Sequence, residues 1–512
     1  MQEKNINRWL LPDALSPDQL IGKISRKYTI QTESSRNRTV TYFDSFDWRL
    51  YRKSFLLSRS DDRWALRRRD SGRAVASIFE KDQGLRKFAW EFPAGRLANQ
   101  LKKILGVRGL LALVTFDVYS RRLQVMNSDR KTIAHIDMIA QKIQTEPRTF
   151  YTMRLCGIRG YENITRKLAR NFRRWGIGEV VSAEYLFKKG VAAMGRAPLD
   201  YHSKFSILLA PDLSIRQAAR AIFRQLLDTM RQNEAGIFED IDSEFLHDFR
   251  VAIRRTRSGL TQLKDVLPPE ITETFKREFA ALGQVTGPTR DLDVYLLYEK
   301  DYLSRLPGTL RAGLTVFFSE MADRRHQEWE KMVSTLKSSR YRTIIENWQA
   351  YLDGSDPGGV SRHSEQPVRP YARKIIYRRY RRILKKGGAI GSSSPDETLH
   401  RLRIQSKKLR YSLEFFASLF PKKEMNRVIR QLKGLQTNLG GFNDLSVQQE
   451  MLQNYLAAIR PGSRKNQDLA VAIGGLLTAL YHEQKEVRRA FVTTFETFSG
   501  SKNEKLFSSL FG

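Results

Sequence analysis

Two segments of the chain place one histidine and three further cations at helical spacing. In LHDFRVAIRRTRSGL these residues are His247, Arg250, Arg254 and Arg257. Because helical residues advance by about 100° each, the four fall within an arc of about 80°, beside an apolar arc. No acid lies within this stripe. Its guanidinium groups could bind a multivalent anion, since the planar Arg fork donates paired hydrogen bonds to phosphate.

The second segment, LHRLRIQSKKLRYSL, repeats the arrangement. Its first residue, Leu399, lies 153 positions after Leu246, which begins the first segment. The same four positions hold His400, Arg403, Lys407 and Arg410, and Lys408 matches Arg255.

The 153-residue offset extends beyond these two segments. It also relates Ile222 to Ile375, Gly287 to Gly440 and Tyr302 to Tyr455. One constant offset across separated segments indicates a duplicated unit of several helices, and it predicts two bundles related by a pseudo-two-fold axis.

A single basic stripe is most often a solvated helix face, and a helical histidine is more often packed or capping than a ligand. The recurrence of four positions, with histidine in both copies, favours a binding site. Carboxylates would repel an anionic ligand, so the polar residues downstream are expected to cap or pair at a helix junction. These are Arg290, Asp291, Asp293, Asn443 and Asp444.

A further basic stripe lies in RPYARKIIYRRYRRILKK, which contains no acid. Lys374, Arg378, Arg381 and Lys385 share one face there and are predicted to add to the anion site, although a solvated face would give the same pattern. The first copy is weaker at this point, with Arg216, Arg220 and Arg224.

The charge of the whole chain agrees with a polyanionic partner. The 512 residues include 89 Lys and Arg against 55 Asp and Glu, a formal charge of +34. Such a surplus attracts nucleic acid, anionic membrane or polyphosphate, and indicates little about fold. The single cysteine, Cys156, fits a reducing compartment. The longest apolar run, 469–481, is shorter than the ~20 residues that span a bilayer, and no signal peptide is evident. We therefore expect a soluble cytoplasmic protein without membrane insertion.

Periodicity predicts an α+β multidomain chain. From about Lys23 to Gln144, short runs rich in aromatic and β-branched residues indicate an antiparallel sheet or barrel, and beyond Asp212 the period is helical. The predicted boundaries are 1–187 for the β domain and 188–204 for a linker. The first helical bundle is placed at 205–352, a break between repeats at 353–367, and the second bundle at 368–512.

The segments LHDFRVAIRRTRSGL, TRDLDVY, LHRLRIQSKKLRYSLEFF and LKGLQTNLGGFNDLSV together resemble the CHAD family, the conserved histidine α-helical domain, over about residues 205–500. The resemblance implies two four-helix bundles with a basic central cleft that binds inorganic polyphosphate and associates with polyphosphate granules. The His, Arg and Lys residues of the two stripes stand at the family's basic motif positions.

The N-terminal region resembles a degenerate CYTH domain, a triphosphate tunnel fold. TYFDSFDWRLYRKSFLLSR is similar to that family's Tyr-Phe-Asp-Thr segment and the Leu-Arg-x-Arg strand that follows it. The family's opening Glu-x-Glu-x-Lys strand, which helps to hold a metal, has its best counterpart at 23–27, where both acids are missing. The resemblance thus implies either a metal-free tunnel that binds phosphate or a structural remnant. The candidate tunnel residues are Lys27, Arg59, Arg67 and Arg69.

These observations together predict a non-catalytic polyphosphate-binding protein with no catalytic residues, no cofactor and no metal. A triphosphatase that uses the tunnel is one alternative, and its missing acid pair argues against it because hard divalent metals need carboxylate oxygens. A protein that binds nucleic acid is the other, and weak nonspecific binding of that kind is left open. No motif for reading bases is present to support it further. The sequence does not indicate an oligomeric state.

Overall fold

The computed structural model describes residues 8–80, 84, 86–178, 181–354, 363–391, 393–460 and 462–512. The chain divides into two compact units, Met1–Ser203 and Lys204–Gly512. The first is built on a sheet, and the regular elements of the second are helices, which confirms the predicted α+β class.

The N-terminal unit contains an eight-stranded antiparallel sheet in the order β1-β8-β7-β6-β2-β3-β4-β5. The longest register joins β2 to β6, with Thr29 opposite Met126 at one end and Asp44 opposite Leu111 at the other. The strands are β1 (Arg8–Leu10), β2 (Thr29–Asp44), β3 (Phe55–Ser60), β4 (Arg63–Arg68), β5 (Ala74–Phe79), β6 (Leu111–Met126), β7 (Thr132–Ile143) and β8 (Thr149–Gly157).

Helices cover both faces of this sheet. Leu168 of α4 packs beside Ile136 of β7 in one core, and Phe187 of α5 packs with Ile139 of the same strand in another. Because successive strand residues point to opposite faces and both faces are covered, β7 is buried along most of its length instead of on alternate residues. The helices of this unit are α1 (Pro17–Ser25), α2 (Arg49–Arg52), α3 (Arg96–Leu105), α4 (Glu162–Arg174) and α5 (Ala183–Ala193).

Two predictions for this unit were wrong. Residues 188–193, assigned to a linker, continue α5, because its apolar side chains find a core against the sheet. Residues 23–25, taken for the opening strand, end α1. A Ser16 capping box starts that helix, and the strand before it is β1.

The second unit consists of thirteen α-helices in the described residues. The first repeat contains α6 (Ile215–Phe238), α7 (Ser243–Gln262), α8 (Pro269–Val285), α9 (Gly287–Leu297), α10 (Glu299–Ser304), α11 (Arg311–Leu336) and α12 (Ser339–Asp353). The second contains α13 (Val368–Gly388), α14 (Asp396–Phe415), α15 (Lys422–Ala458), α16 (Arg464–Arg489), α17 (Phe491–Ser499) and α18 (Ser501–Phe511). Part of the predicted break at 353–367 lies outside the described residues.

The helix boundaries also show the duplication. The starts of α6 and α13, of α7 and α14, of α8 and α15, and of α11 and α16 each differ by 153 positions. The copies differ where α8 and α9 meet, because the second copy has one continuous helix, α15, in place of these two. Pro288 stands there in the first copy and Gly441 in the second. Proline lacks the amide proton that a continuous helix needs, so the first copy breaks at this point.

Each copy forms a helical bundle, and equivalent helices meet between the copies. Trp348 of α12 packs on Phe223 of α6 and on Phe275 of α8, while Tyr380 of α13 stacks on Phe507 of α18. Helix α7 contacts α14, and α11 contacts α16. The equivalent positions Ser214 and Pro367 form a β-bridge with each other. Contacts between equivalent elements are what a pseudo-two-fold axis produces.

Candidate anion-binding site

Helices α7 and α14 present the two histidine stripes. Asp242 caps α7 by accepting a hydrogen bond from the Glu244 amide at 2.9 Å. Phe249 and Leu260 of α7, and Leu402 and Leu409 of α14, are buried in the bundles. Burial of these apolar arcs leaves the adjoining basic arcs at the surface of each helix, as the sequence periodicity predicts.

The two basic arcs meet each other. Arg254 of α7 interacts electrostatically with Arg403 and with Lys407 of α14, which belong to the other copy. Along α7, Arg250 interacts in the same way with Arg254 and Arg257. We call Arg250, Arg254, Arg257, Arg403 and Lys407 the cationic seam. These five were among the predicted ligand residues, and the structure brings them together.

Burial makes the seam electrostatically costly. Burial, together with the neighbouring charges of Arg403 and Arg254, lowers the pKa of Lys407 to about 8. Burial likewise lowers the pKa of Arg250 to about 10. Among the described residues, neither Arg254 nor Lys407 has an ion-pair partner, and the buried Nε of Arg254 has no hydrogen-bond acceptor. The carboxylates of Asp444 and Asp291 act on Lys407 and Arg254 only from beyond ion-pair distance. Half-buried cations without a directly paired carboxylate are destabilising, and a bound anion would offset that cost.

Polar residues of α9 and α15 flank the seam at equivalent positions. Arg403 donates to Asp444 at 3.2 Å, and the nearest favourable charge to its equivalent Arg250 is Asp291. Arg250 also donates to the carbonyl of Gly283 at 2.9 Å. These acids therefore orient the guanidinium groups at the helix junction, the role expected for them. Asp293 serves elsewhere, in an ion pair with Arg325 at 2.8 Å.

The two histidines lie at the edge of the seam. The Nδ1 of His400 is 2.7 Å from the Oδ1 of Asn443, and the ring is otherwise exposed. His247 is partly buried at the equivalent position of α7. The contact with Asn443 orients the His400 ring, leaving Nε2 as the nitrogen available to a ligand.

Two predicted ligands are engaged by a carboxylate instead. Arg255 pairs with Glu414 at 2.8 Å, and both side chains are nearly buried. Arg410 donates to the other oxygen of Glu414 at 2.7 Å and to Gln436 at 3.2 Å. The sequence contains no signal for the pairing of Arg255, because Glu414 lies across the interface between the copies, whereas Arg410 and Glu414 are an i,i+4 pair on α14. We assign Arg255 to the packing of α7 on α14, and Arg410 to the orientation of Glu414 in that packing.

Helix α13 presents a different face to α14 from the one predicted. Arg379, Arg382 and Lys386 interact electrostatically with Lys408 of α14. The predicted residues lie about 100° further round the helix and are exposed, and Arg381 pairs with Glu504 at 3.6 Å. The doublets Arg378-Arg379, Arg381-Arg382 and Lys385-Lys386 place cations on both faces, so the sequence alone could not choose. The interaction with Lys408 shows which basic face lies towards α14, while Tyr380 packs against Phe498 of α17 and Phe507 of α18. The predicted residues are Lys374, Arg378, Arg381 and Lys385.

The N-terminal unit has its own cluster of cations. Arg8 of β1 interacts electrostatically with Arg154, Arg67 and Arg38, and with the buried hydroxyl of Tyr42. Strands β1 and β4 lie at positions one and seven of the sheet order, so their approach requires a strongly curved sheet. This curvature is compatible with the tunnel-like CYTH domain that the sequence resembles.

Only Arg67 of the four predicted tunnel residues lies beside Arg8. Lys27 is exposed in the turn after α1, and Arg59 lies over the Trp64 ring at 5.6 Å. Arg69 pairs with Glu184 at 3.3 Å and covers the ring of Tyr51. The prediction missed Arg8, Arg38 and Arg154 because curvature of the sheet, not spacing along one strand, gathers them.

The cluster around Arg8 does not fit a divalent metal. The nearby carboxylate of Asp137 is already bound by Arg154 at 2.6 Å and by Arg122 at 2.7 Å. The described residues of β1 contribute no acid. A hard cation would meet guanidinium groups where it needs carboxylate oxygens. In the described part of the chain, no three His, Cys, Asp or Glu residues are grouped as metal ligands would be.

The family comparison concerns the helical unit. Residues 221–453 match the family model of the CHAD domain, which includes both helices of the seam. The second unit contains a CHAD domain. This confirms the resemblance drawn from LHDFRVAIRRTRSGL and its repeat.

Two other proteins are similar to part of this chain. Two uncharacterized proteins of Mycobacterium tuberculosis, from strains CDC 1551 and H37Rv, are 25% identical over 285 residues. The match covers 52% of this chain and 53% of each relative, so the chain spans about half the length of those relatives.

Two solved structures resemble the chain over a similar share. The CHAD domain of the plant Ricinus communis is 26% identical, with 57% of this chain and 97% of that one covered and a TM-score of 0.47. PptA from Streptomyces chartreusis is 16% identical, with 56% and 100% covered and a TM-score of 0.43. Among the described helices of our chain, none is both long and apolar enough to cross a bilayer.

Proposed function

We propose that the CHAD domain binds inorganic polyphosphate along the cationic seam and does not turn it over. The observation that carries this proposal is the approach of Arg254 to Arg403 and Lys407 across the interface between the copies. The equivalent helices α7 and α14 supply the cations of the seam from both sides. A linear polyanion with a charge on every unit can neutralise the seam along its length.

The chemistry of the seam favours phosphate. Arginine provides planar, bidentate donors and Lys407 provides a compact charge, which together suit tetrahedral phosphoryl oxygens. His400 adds a further donor with its orientation set by Asn443. Binding would be mainly electrostatic, by release of counter-ions from the polymer, and hence sensitive to salt.

A non-catalytic role fits the same residues. The seam offers arginine, lysine and histidine, and its acids Asp291 and Asp444 face arginines of the seam. Phosphoryl transfer to water needs charge neutralisation by metal or an oriented nucleophile. We propose a cytoplasmic protein that associates with polyphosphate granules.

The test is a fourfold substitution in the seam: Arg250→Ala, Arg254→Ala, Arg403→Ala and Lys407→Ala. Affinity for long-chain polyphosphate, measured by calorimetry at fixed salt, should fall by at least about 100-fold. A control with the same charge loss replaces exposed cations elsewhere by alanine and should bind within about threefold of wild type. The control positions are Lys300, Lys422, Arg427 and Lys465. Equal loss in both variants, with helicity unchanged in both, would remove the seam from the site.

The cluster around Arg8 supports a second candidate, an anion site in the N-terminal unit. Arg8 and Arg154 are direct cross-strand partners, a like-charge pair in which Arg154 is bound by Asp137. Replacement of Arg8 by Ala should then weaken binding of tripolyphosphate in the presence of the fourfold seam substitution. Unchanged binding in that background would leave the cluster a structural remnant.

A further inference from the structure

The cleft between α13 and α14 contains four cations that the seam does not use. Arg379, Arg382 and Lys386 fall within about 60° on α13, and all three interact electrostatically with Lys408 of α14. Among the described residues none of the four side chains has a hydrogen bond or ion pair, and the buried Nε of Arg379 lacks an acceptor. We call these four residues the α13 cluster.

Two members of the cluster, Arg379 and Lys408, are partly buried, whereas Arg382 and Lys386 are exposed. Burial lowers the pKa of Arg379 to about 10, with the charges of Arg378 and Arg382 as further causes. The pKa of Lys408 is also lowered, first by burial and then by Arg379. These cations repel one another and have no acid among them, so a bound anion would stabilise them.

The equivalent cleft of the first copy is filled by the chain itself. Phe205 lies over the guanidinium of Arg255 at 5.5 Å, and the Ser206 carbonyl accepts from Gln225 at 2.7 Å. Leu226 and Asn233, the equivalents of Arg379 and Lys386, are buried there. The cations of the α13 cluster therefore belong to the second copy alone, since the first copy has Leu226, Thr229 and Asn233 at the equivalent positions of α6.

We propose that the α13 cluster is a second phosphate-binding subsite, present in the second copy alone, which long polyphosphate chains reach after filling the seam. The inference rests on the proposed function of the seam. Lys407 of the seam and Lys408 of the cluster are consecutive on α14, so one helix separates the two sites. A helix is about 10 Å across, and the cluster extends about 10 Å along α13.

This arrangement makes the domain selective for chain length. A short oligophosphate occupies one subsite, whereas a long chain crosses α14 and occupies both. The second contact is then intramolecular and adds avidity without a change in the first. The asymmetry also gives the bound polymer one preferred exit from the seam, on the side of the second copy.

The test compares tripolyphosphate with long-chain polyphosphate on full-length protein. The triple variant Arg379→Ala, Arg382→Ala and Lys386→Ala should lose about tenfold or more in affinity for the long chain and less than about twofold for tripolyphosphate. The charge-matched control Lys300→Ala, Arg427→Ala and Lys465→Ala should bind both ligands as wild type does, within about twofold.

Two outcomes separate this proposal from the one it rests on. If the triple variant and its control bind the long chain equally well, the cluster is no subsite, and the seam is unaffected by that result. In the fourfold seam variant, which keeps the cluster around Arg8, the triple substitution should lower the residual affinity for the long chain further. Equal residual affinity with and without the triple substitution overturns the cluster even where the seam itself has failed.

Discussion

At the scale of one residue, titration of the Lys407 amine should make the affinity of the seam depend on pH. Its pKa is lowered to about 8 by burial and by Arg403 and Arg254. A bound polyanion favours the charged amine, so binding above pH 8 must be accompanied by proton uptake. Affinity should fall as pH rises from 8 to 10, by up to about tenfold per pH unit. Calorimetry in buffers of different ionisation enthalpy measures both quantities.

The matched control for that titration is Lys407→Arg, which keeps its charge throughout the range. Its affinity should vary less with pH than that of wild type, and any remaining slope belongs to the phosphate end groups. Identical slopes for the two proteins would mean that Lys407 does not titrate in the binding equilibrium.

Stability provides a second test at this scale. Lys407→Met removes a half-buried cation without a partner, and should raise the free energy of unfolding at pH 7 by about 0.5–2 kcal/mol while it weakens binding. Because the folded pKa lies near 8 and the unfolded pKa near 10.5, the charge destabilises the fold fully below pH 8. The gain should therefore shrink as pH rises towards 10.

Arg255→Met is the contrasting variant. It removes one partner of the nearly buried pair with Glu414, and should lower stability by about 1–3 kcal/mol, since Arg410 still reaches the carboxylate. Chemical denaturation of both variants measures the difference. A loss of stability in Lys407→Met as large as that in Arg255→Met would contradict the distinction between seam and packing residues.

At the scale of elements, the sequence predicted the repeated helices well and their orientation less well. Constant spacing located α7 and α14 because each helix has one apolar arc and one basic arc. Helix α13 has cations on two faces, so only the interaction with Lys408 in the folded domain shows which one lies towards α14. In the sheet, Lys27 was misplaced because the α1 segment was interpreted as a strand, and proximity across the curved sheet has no signature within one strand.

The packing of α11 on α16 can be tested with a glycine. A Cβ at Gly313 would lie 2.5 Å from the carbonyl oxygen of Asp468 and 2.9 Å from the Cβ of Ala472. The carbonyl of Asp468 belongs to the backbone of α16 and cannot rotate away as a side chain could. Gly313→Ala should therefore separate these equivalent helices and lower the free energy of unfolding by about 1–3 kcal/mol.

Gly474→Ala in α16 is the control for that substitution. No atom lies within 4 Å of a Cβ built at this position, and alanine is the better helix former. This variant should gain about 0.5–1 kcal/mol in thermal or chemical unfolding. Equal effects from the two alanines would show that the close approach at Gly313 is not needed.

At the scale of the whole molecule, the surplus charge predicts how polyphosphate and nucleic acid compete. Both polymers release counter-ions, so both affinities should fall linearly with the logarithm of salt concentration. The seam adds contacts suited to consecutive phosphoryl groups, so polyphosphate should displace DNA or RNA at matched salt. Displacement in the opposite order would favour the nucleic acid alternative.

An assay of phosphate release by the whole protein distinguishes binding from hydrolysis. We expect no phosphate release from tripolyphosphate with Mg²⁺ or Mn²⁺, because the cluster around Arg8 offers guanidinium groups where a metal needs oxygen ligands. Malachite green detection of phosphate, with a known triphosphatase as positive control, measures this. Metal-dependent release that Arg8→Ala abolishes would assign an active site to the N-terminal unit.

The position of the seam on the axis between the repeats has an evolutionary consequence. Each repeat contributes only one bank of cations, so an ancestral chain of half the length would have formed a complete seam only as a homodimer. Fusion of the two genes freed each half from the need to match the other. Leu226 and Asn233 on α6, against Arg379 and Lys386 at the equivalent positions of α13, record how far the halves have since diverged.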